Sequence, residues 1–361
     1  MKATLLLALA LPALLSCSTT NTAYRPAWER RTVDAKLLRA GESPVLTNLR
    51  QLTFGGENAE GYLGFDERHF VFQRTLPEKG DECDQIYRYD IASGETRRIS
   101  NGRGRTTCAY FLPGDSLVLY ASTHRASAAC PPVPDQSKGY VWPIYESFDI
   151  VVADTNGREV RWLTDGPGYD AEATVSPTGD RIVFTSTRSG DLELYTMNLD
   201  GSDVKQLTNM PGYDGGAFFS WDGKKVVFRA SRHNEKELEA YRGLLAEGLV
   251  RPSRMELYVI NADGTGMRQI TSNGAANFAP FWHPDGKHII FASNVNDPKG
   301  RNFDLYLIRE DGTGLKQLTF EETFDGFPMF TRDGKGLIFA SNRFGSKQGE
   351  TNLFLADFKL P

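Results

Sequence analysis

The sequence predicts an all-β fold: a six-bladed β-propeller closed by an N-terminal strand that completes the last blade. Three observations carry this expectation. A short phrase returns six times, as Gln51-Leu52-Thr53, Arg98-Ile99-Ser100, Trp162-Leu163-Thr164, Gln206-Leu207-Thr208, Gln269-Ile270-Thr271 and Gln317-Leu318-Thr319. Its starts lie 47, 64, 44, 63 and 48 residues apart, a period that marks an array of supersecondary units. Within each period, Gly-bearing turns separate short alternating strands, the pattern of a propeller blade. Finally, the last period stops one strand short, while the first phrase has no strands of its own before it. Pairing the two ends closes the ring and leaves no open edge.

The N-terminal segment comes first. Lys2 precedes an apolar run from Ala3 to Leu15, which is too short to span a bilayer and reads as a signal peptide over 1–16. Leu14-Leu15-Ser16-Cys17 resembles a bacterial lipobox, which would make Cys17 the acylated residue. The alternative is an ordinary cleaved leader with an incidental Cys. Residues 17–47 then read as a lipidated Cys and tether, with a short helix near 33–39. This expectation places the chain in the bacterial cell envelope, lipid-anchored, periplasmic or surface-exposed. A disulfide is expected there. Cys83, Cys108 and Cys130 allow three single pairings, and sharing one repeat favours Cys108 with Cys130.

The propeller is expected over 48–361. Its cleanest repeat begins at Gln206. Asp214 to Phe219 is a small and aromatic strand, and the Asp222-Gly223 turn leads to Val226-Val227-Phe228. Glu256 to Ile260 is the third strand, and Asp263-Gly264 turns into the fourth. Glycine supplies the positive φ such hairpins need.

The turns Ser176-Pro177-Thr178-Gly179 and His283-Pro284-Asp285-Gly286, each followed by an apolar strand and later by the recurrent phrase, resemble the TolB-type β-propeller repeat. The resemblance spans 48–361 and implies the fold; it is poor in function. TolB itself carries an α/β domain ahead of its propeller. Only about thirty residues follow Cys17 before the repeats here, so the resemblance is to the repeat and not to that protein.

Two repeats are long, with insertions at 124–148 and 233–254, both between strands two and three. Both should therefore lie on one face, and loops that grow on one face of a repeat protein mark its binding side. Leu238, Tyr241, Leu244, Leu245 and Leu249 recur at helical spacing, so the second insertion should hold an amphipathic helix packed on the propeller. The plainer alternative is that both insertions only plug the channel mouth.

Counting from the Thr of each phrase sets Asp170 against Arg188, Asp214 against Arg232, and Asp325 against Arg343. Where Asp becomes Asn277, the Arg is gone. These are expected to be structural ion pairs across strands one and two. Residues that break the pattern are the candidate ligand contacts. Glu172 stands as a lone carboxylate where the other repeats have Gly61, Cys108, Gly216, Ala279 and Phe327. His124 takes the place of an Arg, and Asn277 and Asn294 occupy the repeat without an ion pair. Phe278, Phe324 and Phe327 could form an aromatic wall. Tyr140 and Arg232 are expected within reach of a ligand lying between the insertions. Core packing or local hydrogen bonding is the alternative for each.

No catalytic signature is present, and the five histidines are scattered. Net charge is −5 with no basic block, which gives nucleic acid no surface. The leading expectation is a binding or scaffold module for a protein, peptide or glycan, with no cofactor. The alternatives are a hydrolase or lyase working in the central channel, with a metal near Glu172, and a TolB-like structural component of an envelope complex.

Overall fold

A computed structural model describes residues 37–297 and 300–361. The expected leader, Cys17 and most of the helix expected near 33–39 lie outside the described residues. No helix among the described residues is long and apolar enough to cross a membrane.

Strand β1 (Leu46–Gln51) precedes the blades. Blade 1 is β2 (Glu57–Leu63), β3 (His69–Thr75), β4 (Gln85–Asp90) and β5 (Thr96–Arg98). Blade 2 is β6 (Thr106–Phe111), β7 (Leu117–Ser122), β9 (Asp149–Asp154) and β10 (Glu159–Trp162), with the short β8 (Trp142–Pro143) inside its insertion. Blade 3 is β11 (Asp170–Val175), β12 (Arg181–Ser186), β13 (Glu193–Asn198) and β14 (Lys205–Gln206). Blade 4 is β15 (Asp214–Phe219), β16 (Lys225–Ser231), β18 (Met255–Asn261) and β19 (Arg268–Gln269). Its insertion holds α1 (Glu235–Leu245) and β17 (Leu249–Val250). Blade 5 is β20 (Asn277–Trp282), β21 (His288–Ser293), β22 (Asp304–Arg309) and β23 (Lys316–Gln317). Blade 6 is β24 (Asp325–Phe330), β25 (Gly336–Ser341) and β26 (Asn352–Phe358), and β1 pairs antiparallel with β26 to complete it.

The recurrent phrase has a physical reason. The Thr or Ser hydroxyl accepts a backbone N–H from the second residue of strand three, or the third in blade 4, at 2.8–2.9 Å in all six blades. In blades 3 and 4 the same hydroxyl donates to a carboxylate on that strand, Thr208 to Glu193 and Thr271 to Glu256, each at 2.6 Å. A hydroxyl both donates and accepts, which is why Thr or Ser is needed there. Between blades the core is aromatic. Phe72, Phe184, Phe228, Phe291 and Phe339 on strand two are fully buried and lie opposite an aromatic on strand three, with centroids 5.8–6.0 Å apart.

The segment ahead of β1 is more than a tether. Glu42 is fully buried and accepts from both terminal nitrogens of Arg343 at 2.9 and 3.1 Å. Arg39 reaches Glu321 at 2.7 Å. The packed unit thus begins before residue 48.

Each inner strand breaks register at one bulged residue: Glu60, Cys108, Glu172, Gly216, Ala279 and Phe327 all have φ between 47 and 58°. The bulge is a device that re-aims a side chain. Here it turns six equivalent positions toward the channel.

Candidate ligand-binding site

The two insertions meet. Trp142 and Pro143 of β8 pair antiparallel with Val250 and Leu249 of β17, forming a two-stranded ribbon over blade 3. The sequence predicts that both insertions lie on one face; the structure also joins them there. Lys138 binds Glu247, and the Arg251 guanidinium donates to the Lys138 carbonyl at 2.8 Å. Helix α1 carries a capping box, Asn234 with Glu237, and buries Tyr241, whose hydroxyl donates to Asp191 at 2.5 Å. Leu238 and Leu245 pack against the same cluster, as an amphipathic helix requires.

Below the ribbon lies a 730 Å³ cavity. Tyr140, Trp142, Tyr145 and Phe148 of the first insertion contribute to its walls, with Tyr213, Phe278, Phe303, Phe324 and Phe327. Tyr62, Tyr110, Phe218 and Phe281 plug the channel beneath it, with successive ring centroids 5.2–6.4 Å apart. The result is a funnel open on the insertion-bearing face.

Four of the seven candidate contacts line this cavity: Glu172, Asn294, Phe278 and Tyr140. Three do not. His124 is tied to Ser122 at 2.6 Å and to Glu159 at 2.9 Å, beside the Trp162 ring. Burial lowers its pKa against the pull of Glu159. Arg232 is held by Asp214 at 2.5 Å. Asn277 is fully buried and bonds the Met255 carbonyl and Glu256, replacing with an amide the ion pair of the other blades. Asp170 binds Arg188 at 2.9 Å, and Asp325 binds Arg343 at 2.9 Å.

Glu172 is not a lone carboxylate. Arg229 of β16 binds it, the Tyr213 hydroxyl donates to it at 2.8 Å and Thr185 at 2.7 Å, and the Gly216 N–H donates at 3.0 Å. Burial alone would raise its pKa, but Arg229 and these donors hold it below the usual carboxylate value. The Arg229 guanidinium lies 5.3 Å from both the Trp142 and Tyr213 ring centroids, so the ribbon's Trp142 covers the pair. Gly216 makes the arrangement possible. A Cβ there would sit 1.7 Å from Arg229 Nη1, and φ is +58°. The strand-two positions opposite are Gln73, Ala121, Thr185, Arg229, Ala292 and Ala340, so Arg229 is the one charged residue of six. That contrast was available in the sequence.

The blade 1 counterpart of Glu172 is Glu60, not Gly61. The loop entering β2 is one residue shorter than in the other blades, and the count from Thr53 therefore overshoots. Glu60 faces the cavity next to the Cys108 thiol, and burial pushes its carboxyl up to about 7, with Glu172 adding to the rise. Cys108 is itself raised by burial and by both carboxylates.

The disulfide is also corrected. Cys83 bonds Cys130, while Cys108 is free. The first insertion leans back over the β3–β4 loop of blade 1, and the Cys108 bulge points into the channel. Sharing a repeat therefore does not bring Cys108 and Cys130 together. Among the described residues, no group of three or more His, Cys, Asp or Glu is arranged to hold a metal ion.

Comparison with known proteins agrees with this architecture. Residues 142–243 match the family model of the TolB beta propeller domain. A 39-residue stretch is 49% identical to dipeptidyl-peptidase 5 of Porphyromonas gingivalis, covering 11% of this chain and only 6% of that protein. A putative TolB from Agrobacterium tumefaciens superposes with a TM-score of 0.53 at 16% identity, over 84% of this chain and 91% of that one. TolB from Acinetobacter baumannii gives 0.53 at 18% identity, over 74% of this chain and 55% of its own. At these identities the likeness shows the fold alone.

Proposed function

We propose that this six-bladed β-propeller, which is similar over residues 142–243 to the TolB beta propeller domain, is a binding module of the bacterial cell envelope whose ligand enters the funnel under the joined insertions. One observation carries this reading: the β8–β17 ribbon roofs a 730 Å³ aromatic cavity whose wall also holds carboxylates, among them Glu60 and Glu172, and arginines, among them Arg229. Cavities of roughly 300–1,000 Å³ with mostly apolar walls and a few placed polar groups are the usual form of ligand sites. The envelope placement rests on the N-terminal sequence around Cys17 and on the Cys83–Cys130 disulfide, since disulfides persist in oxidising compartments.

The test is a thermal-shift screen of the purified protein against short peptides and oligosaccharides. A ligand that binds only the folded state raises the melting temperature by mass action. Hits should raise it in the wild type and fail to do so in Trp142→Ala and Phe278→Ala. Hits that survive both changes would move the site out of the funnel. For the anchor, Cys17→Ser should release the protein from membranes without unfolding it, and unchanged membrane fractionation would refute lipidation.

A further inference from the structure

Resting on the reading of the funnel as a binding site, we propose that it receives the free α-ammonium end of a peptide, with Glu60 as the counter-ion.

Asp84 on the cavity wall has Arg105 at 2.5 Å and the Thr75 hydroxyl at 2.6 Å. Glu172 has Arg229. Arg254 has Glu237. Glu60 forms no ion pair with any described Lys or Arg; its neighbour is the Cys108 thiol. In the ring of bulged positions it stands between Phe327 of blade 6 and Cys108 of blade 2. A carboxylate among aromatic faces lacks what an ammonium supplies, and ring faces attract the same cation. A hydrated metal ion would need more oxygen donors than this wall provides.

Two more observations favour a peptide. Blade 4 lies across the ring from blade 1, and there the Arg229 Nη1 makes no hydrogen bond to the described residues. It is a donor waiting for a carbonyl oxygen beyond the terminal amine. At the rim, Arg301 is exposed and stacks on Tyr140 at 4.6 Å, offering a second donor to a chain leaving the funnel.

Five charged or titratable groups face Glu60: Cys108, Glu172, Asp84, Arg229 and Tyr62. With its carboxyl held at about 7, Glu60 is largely neutral at pH 5.5 and largely ionised at pH 7.5. Binding of an ammonium should therefore strengthen over that interval.

The experiment uses intrinsic tryptophan fluorescence and calorimetry with three probes: phenylalanyl-alanyl-alanine amide with a free N-terminus, its N-acetylated form, and an N-acetylglucosamine trisaccharide. The free peptide should bind at least tenfold tighter than the acetylated one at pH 7.5. The preference should shrink at pH 5.5. Glu60→Gln should erase it while leaving the melting temperature and the weak binding of the acetylated peptide unchanged, and Glu60→Asp should keep part of it. Equal binding of the two peptides, or a preference that survives Glu60→Gln, overturns the proposal. Binding of the trisaccharide alone keeps the funnel as a site and removes the peptide. No response to any probe removes both.

Discussion

Arg229 of blade 4 crosses the blade seam to Glu172 of blade 3, and the Tyr213 hydroxyl bonds both, accepting from Arg229 at 2.7 Å and donating to Glu172 at 2.8 Å. Both charges are nearly out of solvent, at 9% and 11% side-chain exposure. Breaking such a pair strands the survivor. Arg229→Met should cost about 3–5 kcal/mol of unfolding free energy, and adding Glu172→Gln should recover part of it. Urea denaturation of the two singles and the double decides this. Additive losses would show that the residues do not interact.

The Cys83–Cys130 bond closes a separation of 47 residues and ties the first insertion to blade 1. In the chain-entropy account a loop of that length is worth about 4 kcal/mol. Cys83→Ser should lower stability by an amount of that order, and Cys108→Ser should barely change it. Peptide mapping under non-reducing conditions should yield a Cys83–Cys130 fragment. A fragment joining Cys108 to either residue would refute the pairing.

Ring closure depends on the segment before β1. Glu42 and Arg343 are both fully buried, and Asp325 shares the same guanidinium. Glu42→Ala removes the one carboxylate that holds both terminal nitrogens, leaving Asp325 and the more distant Glu321, and should destabilise by about 3 kcal/mol. Starting the chain at Ser43 should do the same. Unchanged thermal stability of both variants would mean that this segment is a passive tether.

The blade seams carry carboxyls whose folded pKa values are raised. Burial and Asp325 bring Asp304 to about 7, and burial with Asp170 brings Asp149 to about 6. Burial also raises Glu193 and the neighbouring Asp214. Unfolded carboxyls titrate near 4, so the folded state binds more protons between those limits. Their contribution is fully present below pH 4 and is lost as pH rises through 6 to 8. Asp285 and Glu350, held at about 2, act oppositely and lose theirs as pH falls below 4 toward 2. Stability should therefore peak near pH 4–5 and drop by a few kcal/mol by pH 8. Asp304→Asn should flatten the slope. Guanidinium unfolding that strengthens from pH 5 to pH 8 would contradict the account.

Fold was legible in the sequence because the blade repeats its register. Fixed spacing from each Thr to the hairpin turn placed Asp214 opposite the strand that ends near Arg232, and the missing last strand pointed to the segment carrying Gln51-Leu52-Thr53 as its partner. What failed depended on contacts that no period encodes. The bulge and one shortened loop hid Glu60 behind Gly61. Arg229 escaped notice because strand two was read for its apolar residues alone. The meeting of Trp142 with Val250, and of Cys83 with Cys130, joins segments more than forty residues apart, where local spacing has no hold.

Cys108 offers the most direct test, because its thiol lies on the funnel wall and is the free one among the described cysteines. Its modification by methyl methanethiosulfonate should be measured with and without a ligand at a concentration that saturates the thermal shift. A thiol placed by Thr313→Cys, on the exposed turn of the opposite face, serves as the reference. Occupied funnels should slow labelling of Cys108 at least tenfold and leave the reference unchanged. Undiminished labelling of Cys108 under saturating ligand would put the binding site elsewhere on the propeller.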